Sequence, residues 1–334
     1  MTVAPTPVLI LRRNEVAALM NPAAYLAAAE AAFRSYANGD AFVPMPMHIP
    51  VQSGGFHVKG AHVILERAFV AVKLNGNFPG NSQRHGLPTI QGVVLLCDAT
   101  DGSVLAMIDS IEITLRRTAA ASALAARYLA REDASSIAVC GCGDQGRAQL
   151  TALAEVVSPS RVRMWDIDMK RARDCAREMH EALGIEVTAV PTVHDATWQS
   201  DIVVTATSAQ TPFLTTECVS PGTFVAAIGA DSPHKSELAA ELLVGSKIVV
   251  DALAQCIVMG DLHHAIDAGL VTSADVHAEL GDLVIGRKPG RTYVHEITVF
   301  DSTGVAIQDV ASAAWIYQRA LDRNVGTFVP LGAL

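Results

Sequence analysis

Residues 135–147 read Ser-Ser-Ile-Ala-Val-Cys-Gly-Cys-Gly-Asp-Gln-Gly-Arg. Ile137 to Cys140 form a short apolar run suited to a buried parallel strand, three glycines follow, and Arg147 to Val156 has helical spacing. Strand, glycine turn and helix in that order make a pyrophosphate cradle. The first glycine permits the tight turn, the second admits a phosphate against the backbone, and the third lets helix and strand pack closely. A second strand, Arg161 to Trp165, ends in Asp166, about 25 residues after Gly141, near the spacing at which a carboxylate meets a ribose hydroxyl. The stretch therefore predicts a dinucleotide site. A carboxylate at Asp166 favours NAD over NADP, whose 2′-phosphate it would repel.

Working outward, 334 residues are enough for two domains, and half of them are apolar with no run long enough to span a membrane. The N-terminus shows no secretory signal. A net charge of -9 argues against nucleic acid or an anionic membrane as a partner. Six scattered cysteines (Cys97, Cys140, Cys142, Cys175, Cys218 and Cys256) read as free thiols of a cytoplasmic protein, and no metal site is expected among them or the eleven histidines.

Asn21-Pro22 predicts the first helix, ended by Gly39, and strands are expected over 56–64, 68–74, 90–97 and 104–108, the last two as a hairpin. The loop from Asn75 to Thr89 is long for an inert connection and suggests a substrate-facing segment. A helix over 114–130 would carry Arg116 and Arg117 in its first turn. Beyond it, strands at 136–140, 161–165, 185–190, 201–206, 223–228 and 247–251 alternate with helices, which predicts a doubly wound parallel sheet. Helical pieces are expected around Leu262 and Val276, then a strand over 297–300 and a closing helix over 305–321 that returns to the first domain. The fold class expected is α/β, a Rossmann domain over 119–304 plus a discontinuous α+β substrate and dimerisation domain over 1–118 and 305–334.

Lys73 stands inside an apolar strand, where a lysine either leaves the sheet at its end or serves a site. Lys59 is a similar, weaker case. Arg116 and Arg117 at a helix start would oppose the helix dipole, so at least one is expected to have a specific partner, a surface ion pair being the plain alternative. An arginine can bind a carboxylate bidentately, which suits an amino or keto acid. Asp231, in the turn after an apolar strand, is placed to meet a substrate amine or water. Its alternative is a helix cap before Ser236-Glu237. No nucleophile motif such as GxSxG is present.

The runs Val72-Lys73-Leu74-Asn75-Gly76-Asn77-Phe78-Pro79-Gly80-Asn81 and Gly86-Leu87-Pro88-Thr89 resemble the ornithine cyclodeaminase/mu-crystallin family. So do Ile113-Thr114-Leu115-Arg116-Arg117-Thr118-Ala119-Ala120, Gly229-Ala230-Asp231 and Phe300-Asp301-Ser302-Thr303-Gly304. The resemblance runs from about residue 20 to 321. It implies a homodimer paired through the N-terminal sheets, with NAD(P) on a Rossmann domain. It also implies Lys73 and Asp231 as catalytic residues and Arg117 as carboxylate partner; the residues themselves suggest Lys59 as a second cation for the substrate carboxylate. The expected cofactor-binding set is Gly141, Gly143, Asp144, Gln145, Gly146, Asp166, Thr205, Thr207 and Ser302. No arginine lies between Arg34 and Arg67, and Lys59-Gly60 stands where cyclodeaminases carry Met-Pro. Those departures resemble the amino-acid dehydrogenase and imine-reductase branches. The expected activity is thus NAD(H)-dependent oxidoreduction at the C–N bond of a small α-amino acid through an imine. The alternatives are a cyclodeaminase-type lyase that recycles NAD within each turnover and a mu-crystallin-like ligand-binding protein.

Overall fold

The computed structural model describes residues 7–331; residues 1–6 and 332–334, which the expected substrate domain includes, lie outside them. In chain order the elements are β1 (Val8–Leu11), α1 (Arg13–Leu19), α2 (Pro22–Ala37), β2 (Ala41–Phe42), β3 (Met47–Val51), β4 (Gly54–Ile64), β5 (Ala68–Asn77) and α3 (Asn81–His85). Next come β6 (Ile90–Asp98), β7 (Val104–Asp109), α4 (Ser110–Leu129), β8 (Ser136–Cys140), α5 (Asp144–Leu153), β9 (Arg161–Trp165), α6 (Met169–Leu183) and β10 (Glu186–Ala189). Then follow α7 (Val193–Thr197), β11 (Ile202–Thr205), β12 (Phe224–Ala227), α8 (Ala240–Leu243), β13 (Lys247–Val250), α9 (Leu253–Cys256) and α10 (Asp261–Asp267). The chain closes with β14 (Val276–Glu279), α11 (Leu280–Val284), β15 (Thr298–Asp301), α12 (Ala306–Arg323) and β16 (Thr327–Val329). Two compact units result: Thr118–Gly304 is continuous, and the other runs through Arg117 and resumes at Val305.

The discontinuous unit is built on one mixed sheet of order β16-β1-β7-β6-β5-β4-β2, with β3 added on β4. Side chains alternate across it as strand geometry requires. On β5, Phe69, Ala71, Lys73 and Asn75 are buried on one face, while Val72 and Leu74 point to solvent. The buried face is covered by α12, which packs on β4, β5 and α2. Helix α2 starts as its sequence dictates, with Asn21 Oδ1 accepting from the Ala24 N–H at 2.9 Å and Pro22 opening the first turn.

Two features of this unit differ from expectation. Helix α4 begins at Ser110, so Arg116 and Arg117 sit well inside it and the dipole argument for them lapses. The strands β1, β3 and β16 and the short helix α1 carry too few residues for a periodicity to register, and the Asn75–Thr89 loop contains the end of β5 and α3.

The continuous unit holds a wholly parallel sheet of order β10-β9-β8-β11-β12-β15-β13-β14. Strand order reverses at β8, so the carboxyl ends of β8 and β11 border the crevice in which such sheets bind ligands. Val276 starts a strand rather than lying in a helix, because residues 276–279 add to the sheet edge beside β13. Among the described residues no single helix is long and apolar enough to cross a membrane.

Candidate functional site

In the continuous unit the glycine turn follows β8 directly. Gly141 has φ +105°, a conformation that a side chain would strain, and a Cβ there would overlap the Ala206 carbonyl. A Cβ on Gly146 would overlap the Gly141 carbonyl, which is the close packing of α5 on the turn. Gly143 has open space where its Cβ would stand. It precedes a helix whose first N–H groups no side chain caps among the described residues. Asp144 is exposed in that first turn, and the buried Gln145 Nε2 has no partner among the described residues.

Asp166 is buried at the end of β9. Its carboxylate accepts from the Cys142 N–H and the Asp168 N–H, both at 2.9 Å, and Arg171 Nη1 lies 3.4 Å away. Each carboxylate oxygen takes two bonds, so Oδ2 keeps a lone pair for a sugar hydroxyl. An open glycine turn, free helix N–H groups and an anchored carboxylate fit a dinucleotide's pyrophosphate and ribose. Arg171 went unmarked by the sequence reading, because its position on α6 reads as a solvated face.

Thr205 is fully buried, and Thr207, two residues on, donates its N–H and hydroxyl to Glu237 Oε1, each at 2.6 Å. Ser302 is turned to Asp251, donating to its Oδ2 at 2.9 Å. Asp231 is exposed and paired with Lys235 Nζ at 2.6 Å; the next helix, α8, starts only at Ala240, so Asp231 is not a cap before Ser236-Glu237.

In the other unit, Lys73 and Arg117 converge on one carboxylate that the sequence reading missed. Lys73 Nζ lies 2.9 Å from Asp309 Oδ1, and Arg117 Nε lies 3.2 Å from the same oxygen. Arg117 Nη1 donates to Gln308 Oε1 at 3.0 Å. All four residues are at most 5 % exposed, which makes this a buried charged cluster. Among the described residues Asp309 Oδ2 and Gln308 Nε2 have no partner. Gln308 and Asp309 are polar residues in the first turn of a helix whose run from Val310 to Ile316 is apolar but for Ser312, and that is the signal that could have marked them.

Lys59 is the register partner of Lys73 across β4 and β5, so both cations emerge on one face. Burial lowers Lys73 to about 7; Asp309 opposes that shift, whereas Arg117 and Lys59 add to it. Burial works against the charge on Asp309, but Lys73 and Arg117 together outweigh it and hold the carboxyl below its usual range. Arg116 is a plain surface case, 3.5 Å from Glu112 one turn earlier.

A parallel sheet with a glycine-turn nucleotide site, joined to a second unit holding a buried lysine–aspartate–arginine cluster, defines a two-domain nucleotide-dependent protein of small-molecule metabolism. The family model for the ornithine cyclodeaminase/mu-crystallin family matches residues 7–324, and the chain belongs to that family. The alanine dehydrogenase of Archaeoglobus fulgidus is 38 % identical over 319 residues, 96 % of this chain and 97 % of that one. A solved archaeal alanine dehydrogenase dimer with bound NAD superposes with a TM-score of 0.92 at 38 % identity, covering 96 % of this chain and 98 % of that one. The Thermococcus litoralis Δ1-pyrroline-2-carboxylate reductase, solved with NADH and L-proline, gives 0.92 at 34 % identity, covering 96 % and 99 %.

Proposed function

We propose that the protein is an NAD(H)-dependent oxidoreductase acting at the C–N bond of a small α-amino acid through an imine. The observation that carries this reading is the buried Lys73–Asp309–Arg117 cluster, a proton-exchanging group and a carboxylate-binding group held by one aspartate. The two bonds from Arg117 to Asp309 and Gln308 use two of its five N–H donors. The other three can take a substrate carboxylate, with Lys59 as a second cation. Lys73, brought to about 7, exchanges a proton with the substrate nitrogen near neutral pH. Asp231 is an exposed carboxylate that can hold a substrate amine or the water released as the imine forms. Bound NADH would supply hydride to the imine carbon, held by Gly141, Gly143, Asp144, Gln145, Gly146, Asp166, Thr205 and Thr207, with Ser302 acting through Asp251. NAD in the archaeal alanine dehydrogenase and NADH in the pyrroline-2-carboxylate reductase support that cofactor.

A homodimer completes the reading. Val72, Leu95 and Met107 are register partners across β5, β6 and β7, and each is more than a third exposed on the outer face of the sheet. Such a contiguous apolar row favours a partner, and the dimer of the archaeal alanine dehydrogenase supports a second copy of this chain. Six free cysteines support a reducing, cytoplasmic setting.

The test follows NADH absorbance while 2-oxo acids are offered with ammonia or amines. One NADH oxidised per amino acid formed is expected. Conversion of ornithine to proline and ammonia with total NADH unchanged would overturn the oxidoreductase in favour of the lyase.

A further inference from the structure

Glu237 is fully buried, and no cation faces it among the described residues. Its Oε1 accepts from the Thr207 N–H and hydroxyl, and its Oε2 accepts from the Gly229 N–H at 2.8 Å. One side chain therefore joins the segment leaving β11 to the turn leaving β12, the turn that carries Asp231. The approach is close: a Cβ on Gly229 would overlap the Glu237 carboxylate and come within 2.5 Å of the Thr207 carbonyl. The Glu237 backbone carbonyl accepts from Phe213 and Leu214, so the returning loop is held as well. Behind it, Asp261 Oδ1 accepts from the N–H groups of Glu237 and Leu238, and Asp301 accepts from the N–H groups of Asp261 and Leu262. Asp261 Oδ2, also buried, has no partner among the described residues.

Burying carboxylates without a cation is costly, and a purely structural tie would be served by a neutral side chain. We propose that Glu237 is a positioning residue of the nucleotide-binding unit, whose carboxylate clamps the Thr207 segment to the Asp231 turn so that both present to the cofactor as one rigid edge. The proposal rests on the NAD-dependent reading above.

The clamp is tightest when the carboxylate is ionised, because charge-assisted hydrogen bonds are roughly twice as strong as neutral ones. Burial, then the charge of Asp261, raises Glu237 to about 7, against the hydroxyls of Thr205 and Thr207 and the Thr207 N–H. The titratable groups facing it are Asp261 on α10, itself raised to about 6 by burial, and the Cys140 thiol at the end of β8. Along the turn, Lys235 pairs with Asp231, and His264 of α10 bonds the Lys235 carbonyl. The edge is therefore expected to loosen as pH falls through about 7.

The test uses the full chain and its Glu237→Gln variant, with the exposed Glu241→Gln as control. A glutamine amide cannot accept at both oxygens, so one arm of the clamp is released. Amide exchange in peptides 205–210 and 229–236 should rise about tenfold, with 136–140 unchanged, and NADH should bind about tenfold more weakly at pH 8. Wild-type NADH affinity should fall from pH 8 to pH 6, and the variant's should be flat. Exchange and pH profile equal to wild type would overturn the clamp. If wild type binds no NADH, the cofactor reading fails and the exchange data alone decide the clamp. If the variant does not fold, wild-type exchange corrected for intrinsic rate must still slow in both peptides as pH rises through 7; a flat profile overturns the proposal.

Discussion

Lys73 and Asp309 stand 236 positions apart in the chain and 2.9 Å apart in the fold, one on an interior strand of a sheet and the other on the helix that covers it. Arg117 shares the same carboxylate oxygen, so one anion holds two buried cations. Deleting the aspartate is the severe change. Asp309→Asn should cost about 3–5 kcal/mol in chemical denaturation, because it leaves buried charge uncompensated. Lys73→Met leaves the aspartate paired with Arg117 and should cost clearly less. Equal losses would mean that the two ion pairs do not share an anchor.

Lys73 also sets a sign for the dependence of stability on pH. Its folded value is about 7 against 10.5 for the free side chain. Between those values the unfolded chain binds the extra proton, so this residue makes stability rise with pH across that window. Denaturation midpoints at pH 7 and pH 10 should show the rise, and Lys73→Met should lack it. The same variant should lose at least about a hundredfold in kcat while binding NADH normally, as expected when a general acid is removed. Unchanged turnover would place the proton transfer elsewhere.

For Arg117→Met, KM for α-carboxylate substrates should rise about tenfold to a hundredfold, the usual worth of hydrogen bonds to a charged group. NADH affinity should hold. Normal KM would move carboxylate binding to Lys59.

Cofactor choice turns on Asp166 and its neighbour Arg171, 3.4 Å away. NADH should bind more tightly than NADPH, and Asp166→Ala should narrow the gap by removing the charge that repels a 2′-phosphate. Arg171→Ala should widen it, since the guanidinium offsets part of that charge. Fluorescence titration of both nucleotides measures the ratio, and equal affinity in wild type would refute the role given to Asp166.

The exposed row on β5, β6 and β7 predicts a dimer. Leu95→Lys places a charge between Val72 and Met107 and should shift sedimentation toward the monomer. A dimer unaffected by that change would put the subunit contact on another face.

Much of the fold was legible because its signals are local. Apolar runs and a glycine turn announce β8 and α5, and alternation on β5 separates Lys73 from Val72 and Leu74. The expected start of α4 lies four residues late because Asp109, whose Oδ1 accepts from the Ile111 N–H at 3.0 Å, directly ends the apolar strand β7, so its cap signal is masked by the strand before it. Asp309 escaped because hydropathy assigns a helix its faces, and an acid in an apolar first turn resembles a cap until its partner strand is known. Glu237 escaped for a related reason: Ser236-Glu237 reads as the start of a helix, whereas its carboxylate is spent on two loop ends. In each case the partner lies on an element that no local window contains.

The split of the substrate-side unit carries a consequence for synthesis. A ribosome releases Lys73 and all of its sheet but the edge strand β16 first, then the whole of Thr118–Gly304, and only afterwards the helix bearing Asp309. The continuous unit can fold while the earlier segment still lacks both its covering helix and the anion for its cations. Nascent chains paused before residue 305 should therefore expose an apolar sheet face to chaperones, and a late stop codon would leave a folded nucleotide unit tethered to an unfinished one.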